Sequence, residues 1–567
     1  MKINKVFSII AIFLVLAMLA GCTGASTSGT TAAATSSGGT TAATTAAAKE
    51  TTTASNINPA GELPIVKEPV ELEILIATTD VVLDYATNEM TKKMEDLTNV
   101  KIKWTMVADA NESKSLLLAS GDLPDIFRIS MTPEELSIYG NKGVFIDLSS
   151  YIEQYGVNIK KMFDYDSTVK SNLTIPSGKI VSMPTYSKTY HMTACNKLWV
   201  DRNWLTAVGK EVPKTIDEFY DMLVAFKNED PNGNKTADEI PLTSVGVDSW
   251  NSAIGYIMSA FITTDNTAGR YFVQPYKGKV DVVFNKAEWR QGLTFLNKLY
   301  TEGLLDAECF TQDAALRKQK VESGVIGATV SNAPSAFSVA DSAFFKAFDA
   351  VAPLTGPNGL QSTAYIPSGM EAGSVGFLTI TNACKNPDVA FRWVDLLYSE
   401  DLIYDNLYGN EGKQWRYATA DEVGINGQPA IWKTLEGFTG TQQNISWYQN
   451  LPTFRRAEWR LGEVGSSKEN YLLRVGMETR LYDATKLYEP YYNTDVVPHI
   501  IYIGEDIASE YADIKTALYD YMYLCTARFI TGDMSIEKDW DSYLAELSNI
   551  GLENYIKMTQ EALDSVK

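Results

Sequence analysis

Histidine is nearly absent from this chain: 567 residues hold only His191 and His499. That leaves no histidine cluster for a transition-metal centre, and no zincin pair, GxSxG elbow or phosphate-cradling glycine loop is present either. Basic charge is also scarce. With 49 Lys and Arg against 70 Asp and Glu, the formal net charge is -21 and the pI is near 4.7, which argues against nucleic acid as a partner and against adsorption of the body to anionic lipid. Cysteine is sparse: Cys22, Cys195, Cys309, Cys384 and Cys525 are far apart with no CxxC pair, so the last four read as buried thiols and no disulfide framework carries stability. A carboxylate pair of the kind that hydrolyses glycosides stays open, because 70 acidic residues offer many pairs and none is singled out.

Long apolar runs are limited to one. Behind Lys2 and Lys5, Val6 to Leu19 is apolar except for Ser8, a length of about 14 residues that suits a signal-peptide core and is short for a membrane span. It ends in Leu19-Ala20-Gly21-Cys22, similar to the bacterial lipobox. This predicts a signal peptide over 1–21, lipidation of Cys22 and anchoring to the outer face of the bacterial cytoplasmic membrane through lipid alone. Residues 22–66 begin with a run of almost only Thr, Ala, Ser and Gly up to about Asn56. Such a segment cannot bury enough apolar surface to order itself and reads as a flexible tether.

The remainder is long enough for two or more compact units and is rich in rings, with Trp 11, Tyr 30 and Phe 21. Most rings belong in a core, although so many tyrosines also suit a surface that stacks on sugars. VELEILIA at 70–77 predicts a buried strand, and Met90, Met94 and Leu97 share a helix face. Val100, Ile102, Trp104 and Met106 alternate as a strand; a short helix at 116–118 and a strand at 126–129 complete a βαβαβ order. Thr215-Ile-Asp-Glu218 is a capping box opening a helix with Ile216, Phe219, Leu223 and Phe226 on one face. Asn386-Pro387-Asp388 opens another, and a helix through Trp540, Tyr543, Leu544 and Leu547 stops at Gly551. The fold class is α/β with a helix-rich C-terminal third.

Asp230-Pro-Asn-Gly-Asn-Lys-Thr-Ala-Asp-Glu239 has the donor spacing of a calcium loop. Asp230, Asn232, Asn234 and Asp238 fall at positions 1, 3, 5 and 9, the Thr236 carbonyl stands at 7, and Glu239 offers the carboxylate that Pro241 at position 12 lacks. Oxygen donors alone favour structural Ca²⁺; the competing reading is an Asx-rich turn satisfied by its own backbone and water.

Together with Leu118-Ala-Ser-Gly-Asp-Leu-Pro-Asp125, Pro213-Lys-Thr-Ile-Asp-Glu-Phe219, Tyr408-Gly-Asn-Glu-Gly-Lys-Gln-Trp415 and Phe529-Ile-Thr-Gly-Asp533, this loop resembles the family 1 extracellular solute-binding proteins of ABC importers. The likeness extends to large oligosaccharide-binding and alginate-binding members. It implies a two-lobe periplasmic-binding-protein-like fold with crossover hinges, closing on solute. The lobes would be 67–186 with 330–379 (N-lobe) and 187–329 with 380–567 (C-lobe). It also implies a monomer that delivers an oligosaccharide to ABC permease subunits without bond chemistry, and calcium on the 230–239 loop. Ligand contacts are sought among Tyr186 and Tyr190 near the first crossover, Asp248, Trp250, Tyr365, Trp415 and Trp447, with Arg455, Arg456 and Arg460 read as a solvated helix face that could otherwise meet an acidic sugar. The competing functions are a lipid-anchored glycan-degrading enzyme and a sensor subunit using the same trap.

Overall fold

The computed structural model describes residues 55–247, 251–265, 270–367, 369, 372–437 and 442–565. Residues 1–54, with Cys22, lie outside these, as do Asp248 and Trp250. Within 55–66, expected as the end of the tether, Ile57 bridges Val66, and Ile65 and Val66 are buried in the first core, so the body begins close to the composition shift at Asn56 and earlier than the expected boundary at 67.

The βαβαβ order builds the first sheet. Val70–Ala77 pairs in parallel with Val100–Val107 on one side and Ile126–Arg128 on the other, and Thr379–Ile380 adds an antiparallel edge. Over Ile74–Ile76 the Val70–Ala77 strand is buried on both faces and continuously apolar, whereas Glu71 near its start is exposed. The Glu89–Thr98 helix buries Met90 and Met94 and ends at left-handed Asn99. The leucine helix is longer than expected, Ala110–Ser120, and Leu116 is exposed.

A second sheet has the order Ile240–Thr243, Ile326–Ser331, Lys197–Asp201, Phe348–Val351. Ile326–Ser331 is wholly buried. Gly327 is required there, since a Cβ would lie 2.5 Å from Phe226 and 2.6 Å from Trp204. Phe226 comes from the Ile216–Asn228 helix, whose capping box closes reciprocally between Thr215 and Glu218. Long C-terminal helices, Ala508–Thr531, Trp540–Ile550 and Leu552–Ser565, pack on this second core.

The lobe boundaries differ from those expected. The first core runs through Tyr186 and resumes from Val375 to Phe454; the second runs from Ala194 to Leu354 and resumes at Tyr488. The strand Phe348–Val351 hydrogen-bonds to Lys197–Asp201, so most of 330–379 belongs to the second lobe. The helix Pro387–Leu396 and Trp447 pack in the first. The chain therefore crosses between the lobes near 187–193, 355–374 and 455–487. Cys195, Cys309, Cys384 and Cys525 are buried thiols, and no helix among the described residues is long and apolar enough to cross a membrane.

Candidate functional site

The crossovers frame a cavity of about 480 Å³. Phe377 enters it from beside the edge strand of the first sheet, and Asn332 from just past Ile326–Ser331 of the second. Its floor is made by Phe454–Arg455, which pairs in parallel with Tyr186–Ser187, and by the short helix Ala457–Leu461 and the helix Met477–Lys486.

The polar centre of this cavity is an ion network. Arg460 Nη2 lies 2.8 Å from Glu478 Oε2 and its Nη1 donates to the Tyr408 hydroxyl at 3.2 Å. His191 Nδ1 lies 3.4 Å from the same Glu478 oxygen. Burial works to raise the Glu478 pKa, but the Arg460 charge and the His191 contact outweigh it and hold the group below the ordinary carboxylate range. Burial also keeps His191 below its usual value, so at neutral pH it serves as a hydrogen-bond donor and Arg460 is the countercharge. Glu463, whose Oε1 accepts from the Thr434 hydroxyl at 2.7 Å, is driven the other way: burial first, then the Glu478 charge, raise its pKa. Arg455 donates from Nη2 to Gln449 Oε1 at 3.0 Å, while its Nε is buried without a partner. Burial and the neighbouring Arg460 bring its pKa down to about 10.

The aromatic candidates fall mostly elsewhere. Trp447 is fully buried, its Nε1 donating to Thr91 Oγ1 at 2.8 Å, with Trp104 and Trp393 around it. Trp415 is buried in a satellite cluster, stacked on Tyr404 at 4.6 Å and bonded through Nε1 to the Gly409 carbonyl. Tyr186 is a core ring whose hydroxyl donates to Asp166 at 2.8 Å. Tyr365 is half-buried against Tyr492 and is not among the cavity-lining residues. Tyr190 borders a small recess that adjoins the cavity through His191, Arg460 and Glu478. The solvated-face reading of the arginines is corrected: Arg455 and Arg460 line the cavity, whereas Arg456 pairs with Glu400 at 2.8 Å and lies over Trp459. Tyr408, Tyr448, Glu463, Arg474 and Glu478 also line the cavity and are not among the residues expected from the sequence to touch ligand. The dense charge after residue 454 was the available signal.

The 230–239 loop lies at the end of the Ile216–Asn228 helix and contributes nothing to the cavity lining. Asp230, Gly233 and Lys235 take positive φ, and the loop closes on itself through Lys235 N to Asp230 Oδ2 (3.1 Å) and Asn234 Nδ2 to Asp238 (3.0 Å). Asp230 Oδ1 and Glu239 Oε1 are buried without a partner. No cluster of three or more His, Cys, Asp or Glu side chains suited to a metal is found among the described residues, Asp230, Asp238 and Glu239 included.

Comparison with known proteins agrees with this architecture. A fructooligosaccharide ABC transporter substrate-binding protein of Streptococcus pneumoniae, FusA, is 28% identical over 497 residues, 83% of this chain and 86% of its own length. Its structure with kestose superposes with a TM-score of 0.75 at 25% identity, covering 87% of this chain and 99% of that one. The alginate-binding protein AlgQ2 without calcium shares the fold, with a TM-score of 0.68 at 22% identity and coverage of 88% and 99%. Residues 81–402 match the family model for bacterial extracellular solute-binding proteins, and the chain belongs to that family.

Proposed function

We propose that this chain is the capture subunit of an ABC importer, closing its two lobes over an oligosaccharide and passing it to membrane permease subunits. The observation that carries this is the inter-lobe cavity. Its volume of about 480 Å³ suits a few sugar rings, and flat rings (Phe377, Tyr408, Tyr448) alternate there with guanidinium, carboxyl and hydroxyl groups. Likeness to FusA along most of both chains supports the same class of solute. Capture needs only differential affinity between open and closed states. A thermal-shift screen of residues 55–567 against oligosaccharides, each recovered and checked by chromatography, tests it. A sugar that raises Tm and returns intact supports capture; a shortened sugar overturns it in favour of a hydrolase.

The same proposal includes structural Ca²⁺ on the 230–239 loop. The two partnerless buried carboxylate oxygens of Asp230 and Glu239 fit a hard cation. Asn232, Asn234, Asp238 and the Thr236 carbonyl would complete the set, with the two amides giving up the Asn234 and Thr236 N–H groups that their Oδ1 atoms now accept. It also includes export, lipid on Cys22 and a monomeric body. Mass spectrometry of the mature N-terminus, and release of Cys22→Ala protein into the medium, check the anchor.

A further inference from the structure

We propose that the solute is anionic: an oligosaccharide carrying carboxylates, gripped between Arg455 on one side of the cleft and Arg474 on the other. This rests on the reading that the cleft takes an oligosaccharide, and it follows from which charges in the cavity are already matched. Arg460 and His191 are taken by Glu478. Arg455 and Arg474 also line the cavity, yet neither has an ion-pair partner among the described residues, and the Nε of each is buried without an acceptor. The remaining lining carboxylates do not balance them. Glu463 is engaged by the Thr434 hydroxyl, and Glu436 is solvent-exposed beside Gln414.

The two arginines lie in the same 455–487 crossover but are tied to different lobes. Arg455 sits on Phe454–Arg455, joined to the first lobe through Tyr186–Ser187. Arg474 opens the turn Arg474–Gly476, whose first N–H donates to Asp341 at 2.6 Å. That turn leads into the helix Met477–Lys486, which packs Leu481 against the second lobe with Trp199 and Phe348. A guanidinium matches a carboxylate as a planar fork and binds it about twice as strongly as a neutral acceptor. A hydroxyl could fill either Nε but would leave Arg474 without a countercharge and Arg455 with only a share of the Glu478 charge, which Arg460 already pairs. A carboxylate on the solute would therefore be gained only as the lobes close.

The test measures affinity by calorimetry for oligogalacturonates and alginate oligosaccharides of matched length, each beside its carboxyl-reduced neutral counterpart, at low and high salt. The expected result is at least about tenfold tighter binding of an acidic chain, weakening with salt. In Arg455→Gln and Arg474→Gln proteins, with folding verified by Tm, the ratio of acidic to neutral affinity measured within each variant should shrink several-fold. Arg474 lies in a short surface turn, so its variant reads out even if Arg455→Gln misfolds. Equal affinity for acidic and reduced chains, or binding of neutral chains only, overturns the inference and leaves the oligosaccharide reading intact. Failure of every acidic and neutral chain to bind overturns both.

Discussion

The 230–239 loop and the inter-lobe cleft use the same side-chain chemistry in opposite ways. In the loop, all the oxygen groups of interest lie within ten consecutive residues, and the positive φ of Asp230, Gly233 and Lys235 turns the backbone so that Lys235 N–H reaches back to Asp230. In the cleft, Thr185 and Leu481 line one surface although they stand far apart in the sequence, and each charge takes its role from a partner brought in by a different element. A contiguous site can be read one loop at a time. A cleft site becomes visible only when both lobes are placed, and its strongest marker is an unmatched charge rather than a motif.

The sharpest way to break that contrast is through the neighbouring rings Trp447 and Tyr448. Trp447 is a core ring and Tyr448, at positive φ, lines the cavity. Trp447→Ala should cost about 3–5 kcal/mol of stability, read by chemical denaturation. Tyr448→Phe should leave the denaturation midpoint nearly unchanged and weaken solute binding. If Trp447→Ala instead folds with normal stability and fails to bind, the core and cleft assignments are reversed.

A smaller effect is expected at the loop. Addition of Ca²⁺ at about a hundred times its Kd should stabilise the protein by about 2.7 kcal/mol, and Asp230→Ala should abolish that gain. Solute affinity should change little in either case, because the loop is remote from the cavity lining. Identical melting with calcium and with chelator sinks the metal proposal, and a large loss of affinity on chelation would join the two sites that the structure keeps apart.

How much was legible in the sequence follows the same division. The Val70–Ala77 and Val100–Val107 strands, the Thr215 capping box and the Gly551 helix stop match their expected positions because hydrogen bonding and side-chain periodicity within one segment decide them. The exchange of 330–354 and 380–454 between lobes escaped, because strand order is set by pairing across long separations, as Lys197–Asp201 with Phe348–Val351 shows. The ring candidates went astray for a related reason. Trp415 and Trp447 carry no sequence sign that their indole N–H groups are already met by Gly409 and Thr91. Arg455 and Arg460 resembled an outward face until the strand Phe454–Arg455 turned the first into the cavity.

The smallest expected effect lies within the cleft itself and separates its two buried glutamates. Glu463 has a raised pKa, from burial and then from Glu478, so the folded state holds a proton that the unfolded chain releases at lower pH. Its contribution is therefore fully present below the ordinary glutamate value and declines as pH rises through the window between that value and the raised one. Glu478, held low by Arg460 against the effect of burial, behaves oppositely: its contribution is present above the ordinary value and is lost as pH falls. Glu463→Gln should keep the Thr434 contact and remove the ionisation, reducing the loss of stability across that window by on the order of 1 kcal/mol, read as a flatter dependence of Tm on pH. Glu478→Gln should remove the acid-side loss and leave Arg460 without its countercharge. If both substitutions shift the pH profile in the same direction, the cleft holds a single shared proton rather than two groups with opposed environments, and the division of charge between Arg460 and Arg455 would have to be redrawn.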